Sequence, residues 1–261
     1  MTSTEKQTRK QRRAAERAAR KGGTSSAPVG SSSRGGGSGP SMLLISIAAI
    51  GIGLVAVIAL VLVSGGLDGN QVVAISEPDT PAPAAELRQG STLVAPEASP
   101  AVKVEVFEDA QCPHCGTFTE RIEPLLIAEH VADGTASYDY RDYIIFGQGS
   151  VDAAMGMRAA DELANAFWDF QHFVFYNQED GEFTRSWLAD IAEAIGLERE
   201  PFLALLDDED LQADLNADLA AAQAYGVSST PTVVVNGENI GSPTWEELDA
   251  AIQEAAAAAA G

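Results

Sequence analysis

The chain of 261 residues holds two cysteines, both in the motif Cys112-Pro113-His114-Cys115. Sulfurs at this spacing can do two kinds of chemistry. They can close into a disulfide that exchanges with other thiols, or they can form half of a tetrahedral zinc site. Zinc needs two further ligands, such as a second Cys-x-x-Cys or a His-x(3–5)-His. No third cysteine exists, and the other two histidines, His130 and His172, lie 42 residues apart. No metal and no other cofactor is expected. With no cysteines left for a structural disulfide, the fold must rest on a hydrophobic core.

The surrounding pattern says how the motif is held. Val102, Val104 and Val106 alternate with Lys103, Glu105 and Phe107, which predicts a strand. After a loop, Phe118, Ile122, Leu125 and Leu126 recur at helical spacing, so the motif opens a helix. The first sulfur then lies where unpaired N–H groups and the positive end of the helix dipole point, favouring thiolate over thiol. Cys112 is therefore expected to be the nucleophile and the exposed partner. Cys115, one turn on, is expected to be the more buried, resolving thiol. Pro113 suits the first turn because it needs no N–H there. His114 adds a donor or a positive charge beside the Cys112 sulfur, which would stabilise the thiolate and make the disulfide a stronger oxidant. The alternative for His114 is a surface histidine of no consequence.

The remaining elements frame this unit. Pro124 should kink the motif helix near Glu120. Ala136–Phe146 reads as a second strand, followed by helices at about 151–165, 167–177, 184–195, 199–206 and 210–225. Thr232–Val235 is a short buried strand that turns at Asn236-Gly237 towards a hairpin partner around Asn239–Ile240. Thr244-Trp245-Glu246-Glu247 is a capping box opening a last helix. This order predicts an α/β sheet with a helical insertion at about 150–210.

Charge divides the chain. Residues 1–41 carry nine Lys/Arg against Glu5 and Glu16, leaving seven basic and 36 acidic residues in the remainder. So acidic a domain repels phosphate backbones, and nucleic-acid binding is set aside. Met42–Val63 is 22 residues without a charge, proline or amide side chain, enough for one transmembrane helix. Its apolar run exceeds the ~7–15 residues of a cleaved signal peptide, so a retained signal anchor is expected. The basic flank places the N-terminus in the cytoplasm and the cysteines outside, where disulfides persist. The expected organisation is a basic, flexible cytoplasmic segment 1–41, an anchor 42–64, a Pro-rich stalk 65–98 and a folded domain 99–261. Within the stalk, a short strand is expected near Ser91–Val94.

Phe107-Glu108-Asp109-Ala110-Gln111-Cys112-Pro113-His114-Cys115, with Thr230-Pro231-Thr232 far downstream, resembles the DsbA-like branch of the thioredoxin superfamily, in its membrane-anchored bacterial form. Phe167-Trp168-Asp169-Phe170-Gln171-His172, leading to Asn177-Gln178, resembles that branch's inserted helical domain. The likeness runs from about 99 to 257. It implies a thioredoxin-like fold, Cys112 and Cys115 as a redox-active disulfide with Pro113 and His114 between, and Pro231 as a cis-proline facing it. Thr230 would pair its backbone with a bound substrate strand. The implied partners are reduced, unfolded secreted or membrane proteins and a membrane reoxidase of DsbB or VKOR type.

Two positions depart from the family pattern. Many relatives carry a buried acid six residues before the first cysteine, where this chain has Val106; Glu105 or Glu108 would have to serve. Thr230 is closer to isomerase-type members than to the strongest oxidases. Trp168, His172 and the aromatic run Phe167, Phe170, Phe173 and Phe175 are expected in the core rather than in a substrate groove. The readings to be separated are an oxidase, an isomerase or reductase on the same scaffold, and a non-catalytic chaperone or binding module.

Overall fold

The computed structural model describes residues 74–260. A single 3-10 turn, Ala85–Leu87, leads into the short strands β1 (Arg88–Gln89) and β2 (Thr92–Leu93). Then come β3 (Val102–Glu108), α1 (Pro113–Arg121), α2 (Glu123–Leu126), a π-helical turn at Ile127–Val131 and β4 (Ala136–Asp142). Five helices follow: α3 (Gln148–Ala164), α4 (Phe167–Tyr176), α5 (Arg185–Ala194), α6 (Arg199–Leu205) and α7 (Glu209–Ala224). The hairpin β5 (Thr232–Val235) and β6 (Glu238–Gly241) and the helix α8 (Trp245–Ala260) close the domain.

The six strands form one sheet in the order β1-β2-β4-β3-β5-β6. Only β3 and β4 run parallel, with Val106 opposite Tyr140 and Glu108 opposite Asp142. The α1–α2 crossover makes that pairing possible, while β5 joins β3 antiparallel. This is the thioredoxin-like sheet, with helices inserted between β4 and β5.

The alternation read in β3 sorts its side chains onto two faces. Val102, Val104 and Val106 enter the main core with Phe118, Tyr138, Tyr140, Leu248 and Ile252. Phe107 points the other way, into a smaller cluster with Ala222, Val227 and Val234. Most of the expected aromatic set on α4 is core: Phe167, Trp168, Phe170 and Phe175 are buried, and the Trp168 indole N–H donates to the Gly90 carbonyl at 2.8 Å, whereas His172 and Phe173 are half-buried at its edge.

Three boundaries differ from the expectations. Pro124 does more than kink the motif helix: with no N–H to give, it lets α1 end at Arg121 and a new turn start at Glu123. The second strand stops at Asp142, and Ile145 and Phe146 beyond it are exposed. The expected stalk is corrected over its described part. Residues 74–98 belong to the domain, because Leu87 and Leu93 are buried in the main core and β2 pairs with β4. Arg88 also binds Asp169 of α4 with two hydrogen bonds, at 2.6 and 3.1 Å.

The expected anchor at 42–64 and the basic segment at 1–41 lie outside the described residues. Among the described residues, no helix is long and apolar enough to cross a membrane.

Candidate active site

Cys112 is the N-cap of α1, in extended conformation (φ −82°, ψ 117°), and Pro113 occupies the first turn. The motif thus opens the helix as the spacing predicts, with one amendment. Cys112 keeps only 4% of its surface exposed and Cys115 none, so the attacking sulfur is nearly enclosed and Pro113 and His114 form the exposed rim.

The two sulfurs are driven apart in acidity. The Cys112 thiol is lowered to about 5, first by a hydrogen bond from Cys115, against burial, and then by the Thr230 side chain and the main-chain N–H groups of Cys115 and His114. Cys115 is raised, chiefly by burial and by its hydrogen bond to Cys112. His114 therefore acts on Cys112 through its backbone N–H.

The Thr230–Pro231 peptide bond is cis. It brings Thr230 against the motif from β5's side, and the Cys112 thiol donates to the Thr230 carbonyl at 3.5 Å. The Thr230 hydroxyl is buried with no settled hydrogen-bond partner, and its nearness to the Cys112 sulfur favours the thiolate. The structure thus brings Thr230 to Cys112 and Cys115 from the opposite end of the domain, with Pro231 next to it in the chain and Pro113 and His114 at the edge.

Of the two candidate acids, geometry selects Glu108. Glu105 faces the other side of the sheet, held by Arg141 at 3.0 Å, Lys103 at 2.8 Å and the Tyr225 hydroxyl at 3.0 Å. Glu108 is completely buried on the Cys115 side, and its charge would push Cys115 up. Its carboxyl is itself held well above the usual carboxylate range, first by burial and then by the neighbouring Glu123. The Tyr138 hydroxyl stands between these acids, 3.4 Å from Glu108 Oε1 and 2.9 Å from Glu123 Oε2. Burial raises Glu123 to about 7.

Two residues near the motif went unassigned in the sequence. Asp109, fully buried, accepts from the N–H groups of Gln111 (2.8 Å), Ile145 (2.7 Å) and Phe146 (3.1 Å) and from the Ser150 hydroxyl (2.6 Å). It ties the loop after β4 to the turn before Cys112, and its signal was an Asx-type turn two residues ahead of Gln111. Gln178, just past α4, reaches the Ala110 and Cys112 carbonyls. His130 and His172 serve elsewhere: His130 pairs with Asp249 at 2.9 Å, and His172 with the Thr80 carbonyl at 2.7 Å.

This geometry can be set beside known proteins. A thioredoxin family model, Thioredoxin_4, matches residues 90–254. The chain belongs to this thioredoxin family. Among curated relatives, Disulfide bond formation protein D of Bacillus subtilis is 27% identical over 157 residues, spanning 58% of this chain and 70% of that protein. The Probable disulfide bond formation protein D of Bacillus cereus is 28% identical over 161 residues, spanning 59% and 73%. The crystal structure of oxidised BdbD from Bacillus subtilis superposes with a TM-score of 0.59 at 25% identity, covering 67% of this chain and 96% of that one. Within the thioredoxin family, this chain is a DsbA-like thiol–disulfide oxidoreductase.

Proposed function

We propose that the oxidised Cys112–Cys115 pair introduces disulfides into reduced, unfolded secreted or membrane proteins. The supporting observation is the opposed acidity of the two sulfurs beneath the Thr230–Pro231 cis turn. A substrate thiolate attacks the Cys112 sulfur, forming a mixed disulfide, and the Cys112–Cys115 bond breaks. Cys115 leaves with the electron pair and takes a proton, for which the neutral carboxyl of Glu108 is the buried source. A second substrate thiolate then attacks the substrate sulfur of the mixed disulfide. Cys112 departs as a stabilised thiolate, and the substrate has lost two electrons to the pair. The Thr230 backbone would align the substrate strand, and Pro231 would wall the exchanging sulfur.

In this reading, residues 42–64 anchor the chain in the cell membrane, with 1–41 cytoplasmic and the catalytic domain outside. A membrane reoxidase of DsbB or VKOR type would return the dithiol to the disulfide. The charge asymmetry of the sequence supports that orientation. Equilibrating the protein with glutathione tests the direction of exchange. A potential well above the approximately −270 mV of thioredoxin is expected, and one at or below it would sink the oxidase reading in favour of a reductase. Protease treatment of intact cells tests the topology; digestion confined to residues 1–41 would reverse it.

A further inference from the structure

Gln178 belongs to neither the motif nor the cis-proline turn, yet it touches the redox turn directly. It follows α4, in the inserted helices, and its Nε2 donates to two carbonyls of the opposite element, Ala110 at 2.7 Å and Cys112 at 2.9 Å. The Cys112 carbonyl is the N-cap carbonyl of α1 and also accepts from Cys115 N at 3.0 Å and Gly116 N at 3.2 Å. Its orientation fixes the peptide plane between Cys112 and Pro113, and with it the direction of the N–H groups of the first turn.

Those are the His114 and Cys115 N–H groups, the ones that act on the Cys112 sulfur. The facing helix is cut to receive the carboxamide. A Cβ on Gly116 would stand 2.5 Å from Gln178 Oε1, closer than real Cβ contacts come. Gly116 therefore leaves the space in which the Gln178 amide lies against the first turn of α1. Asn177, beside it, is itself clasped to the incoming chain. It accepts from Ser76 N at 2.7 Å and donates to the Ser76 carbonyl at 2.9 Å.

We propose that Gln178 is a positioning residue for disulfide exchange, holding the Cys112 main chain from the helical insertion so that the N-terminal N–H groups of α1 stay aimed at the Cys112 sulfur. Its carboxamide is the link by which the insertion governs the reactivity of the thioredoxin-like half. The inference rests on Cys112 being the exchanging sulfur.

The test is the ultraviolet titration of the Cys112 thiolate, together with the glutathione redox equilibrium. Both are measured on the full chain in mild detergent for the unaltered protein, Gln178→Met, Gln178→Glu, Gln178→Ala, Gly116→Ala and Gln178→Ala combined with Gly116→Ala. Met keeps the volume and removes the donor; Glu keeps the shape and sets a carboxylate against two carbonyls. Both variants, and Gly116→Ala by displacing the amide, should raise the Cys112 midpoint by roughly one pH unit, a tenfold loss of acidity. Each should also make the pair less oxidising.

Adding Gly116→Ala to Gln178→Ala should change nothing further, because its methyl then enters vacated space. A Cys112 midpoint and potential unmoved by Gln178→Met and Gly116→Ala, whatever happens to thermal stability, would overturn the proposal. So would a Gly116→Ala effect that persists undiminished without Gln178. The Gly116→Ala comparison stands alone if the Gln178 variants are too unstable to titrate. Absence of any acidic thiolate in the unaltered protein would count against Cys112 as the exchanging sulfur, a separate failure from equal midpoints across the series.

Discussion

Replacing Glu123 by Gln should make the reduced protein more stable at neutral pH while changing little in acid. Glu123 is enclosed between α2, β4 and α4. One oxygen, Oε2, receives both the Tyr138 hydroxyl at 2.9 Å and the Gln171 amide at 3.2 Å. Burial outweighs these donors and pushes the carboxyl from 4.5 up to about 7. A raised folded-state value means that the native protein holds this proton more tightly than the unfolded chain does. The associated stability is fully present below 4.5 and is lost as pH rises through about 7.

At ~1.4 kcal/mol per pH unit, the gap amounts to roughly 3 kcal/mol lost by about pH 8. Gln cannot ionise, and its single carbonyl oxygen can take both donors where Oε2 stood. Urea unfolding of the reduced protein at about pH 4.5, 6 and 8 measures the effect, read as a change in midpoint at constant slope. Glu123→Gln should match the unaltered protein at the lowest pH and pull ahead as pH rises. Curves that stay parallel across the range would refute the reasoning, because a constant offset means that the buried carboxyl does not titrate between the two states.

Four further outcomes are expected. The Cys112 thiolate should form with a midpoint near 5, and Thr230→Val, which removes a donor to that sulfur, should move the midpoint upward in the same ultraviolet titration. Because this value is depressed, the stability that the thiolate contributes to the reduced form should vanish as pH falls through about 5, seen as converging urea midpoints of reduced and oxidised protein. Arg158 is buried between Asp142 and Asp218 and bonds both, so Arg158→Met should cost about 3–5 kcal/mol in urea unfolding, with partial recovery when both acids become Asn. Gly156→Ala on α3 would place a methyl 2.9 Å from the Phe170 ring and 3.2 Å from Phe202, and should lower stability by about 1–3 kcal/mol despite the better helix residue.

Much of the frame was legible because periodicity and turn chemistry agreed. The five helices after β4 lie within three residues of their expected ends, and the Thr244 capping box closes as written: Thr244 N donates to Glu247 at 2.8 Å and Glu247 N to the Thr244 hydroxyl at 3.3 Å. The Asn236-Gly237 turn takes positive φ at both residues, as a tight hairpin requires. What could not be read was whatever depends on a distant partner. Strands of two residues, such as β1 and β2, carry no period. Prolines at 78, 81 and 83 look like a spacer until Arg88 finds Asp169 and Ser76 finds Asn177 across more than eighty residues. Gln178 is one more polar residue at a helix end until the Ala110 and Cys112 carbonyls appear opposite it.

The displaced acid shows where local reading and fold meet. Strand parity alone separates Glu105 from Glu108: side chains alternate, so Glu108 shares a face with Val104 and Val106 while Glu105 does not. The structure puts Val104 and Val106 in the core, and that decides between the two acids. An acid at 106 and one at 108 therefore approach the site from the same side of the sheet, one pleat apart, and the later position lies at the strand's end, just before the cysteine loop. At 108 the carboxyl meets Tyr138 and, through it, Glu123, so the group beside Cys115 is coupled to a second buried acid rather than standing alone. Two carboxyls that repel in a buried site cannot both ionise readily. Ionising Glu123 therefore pushes the Glu108 carboxyl further upward, the direction that keeps a proton within reach of a leaving Cys115 thiolate.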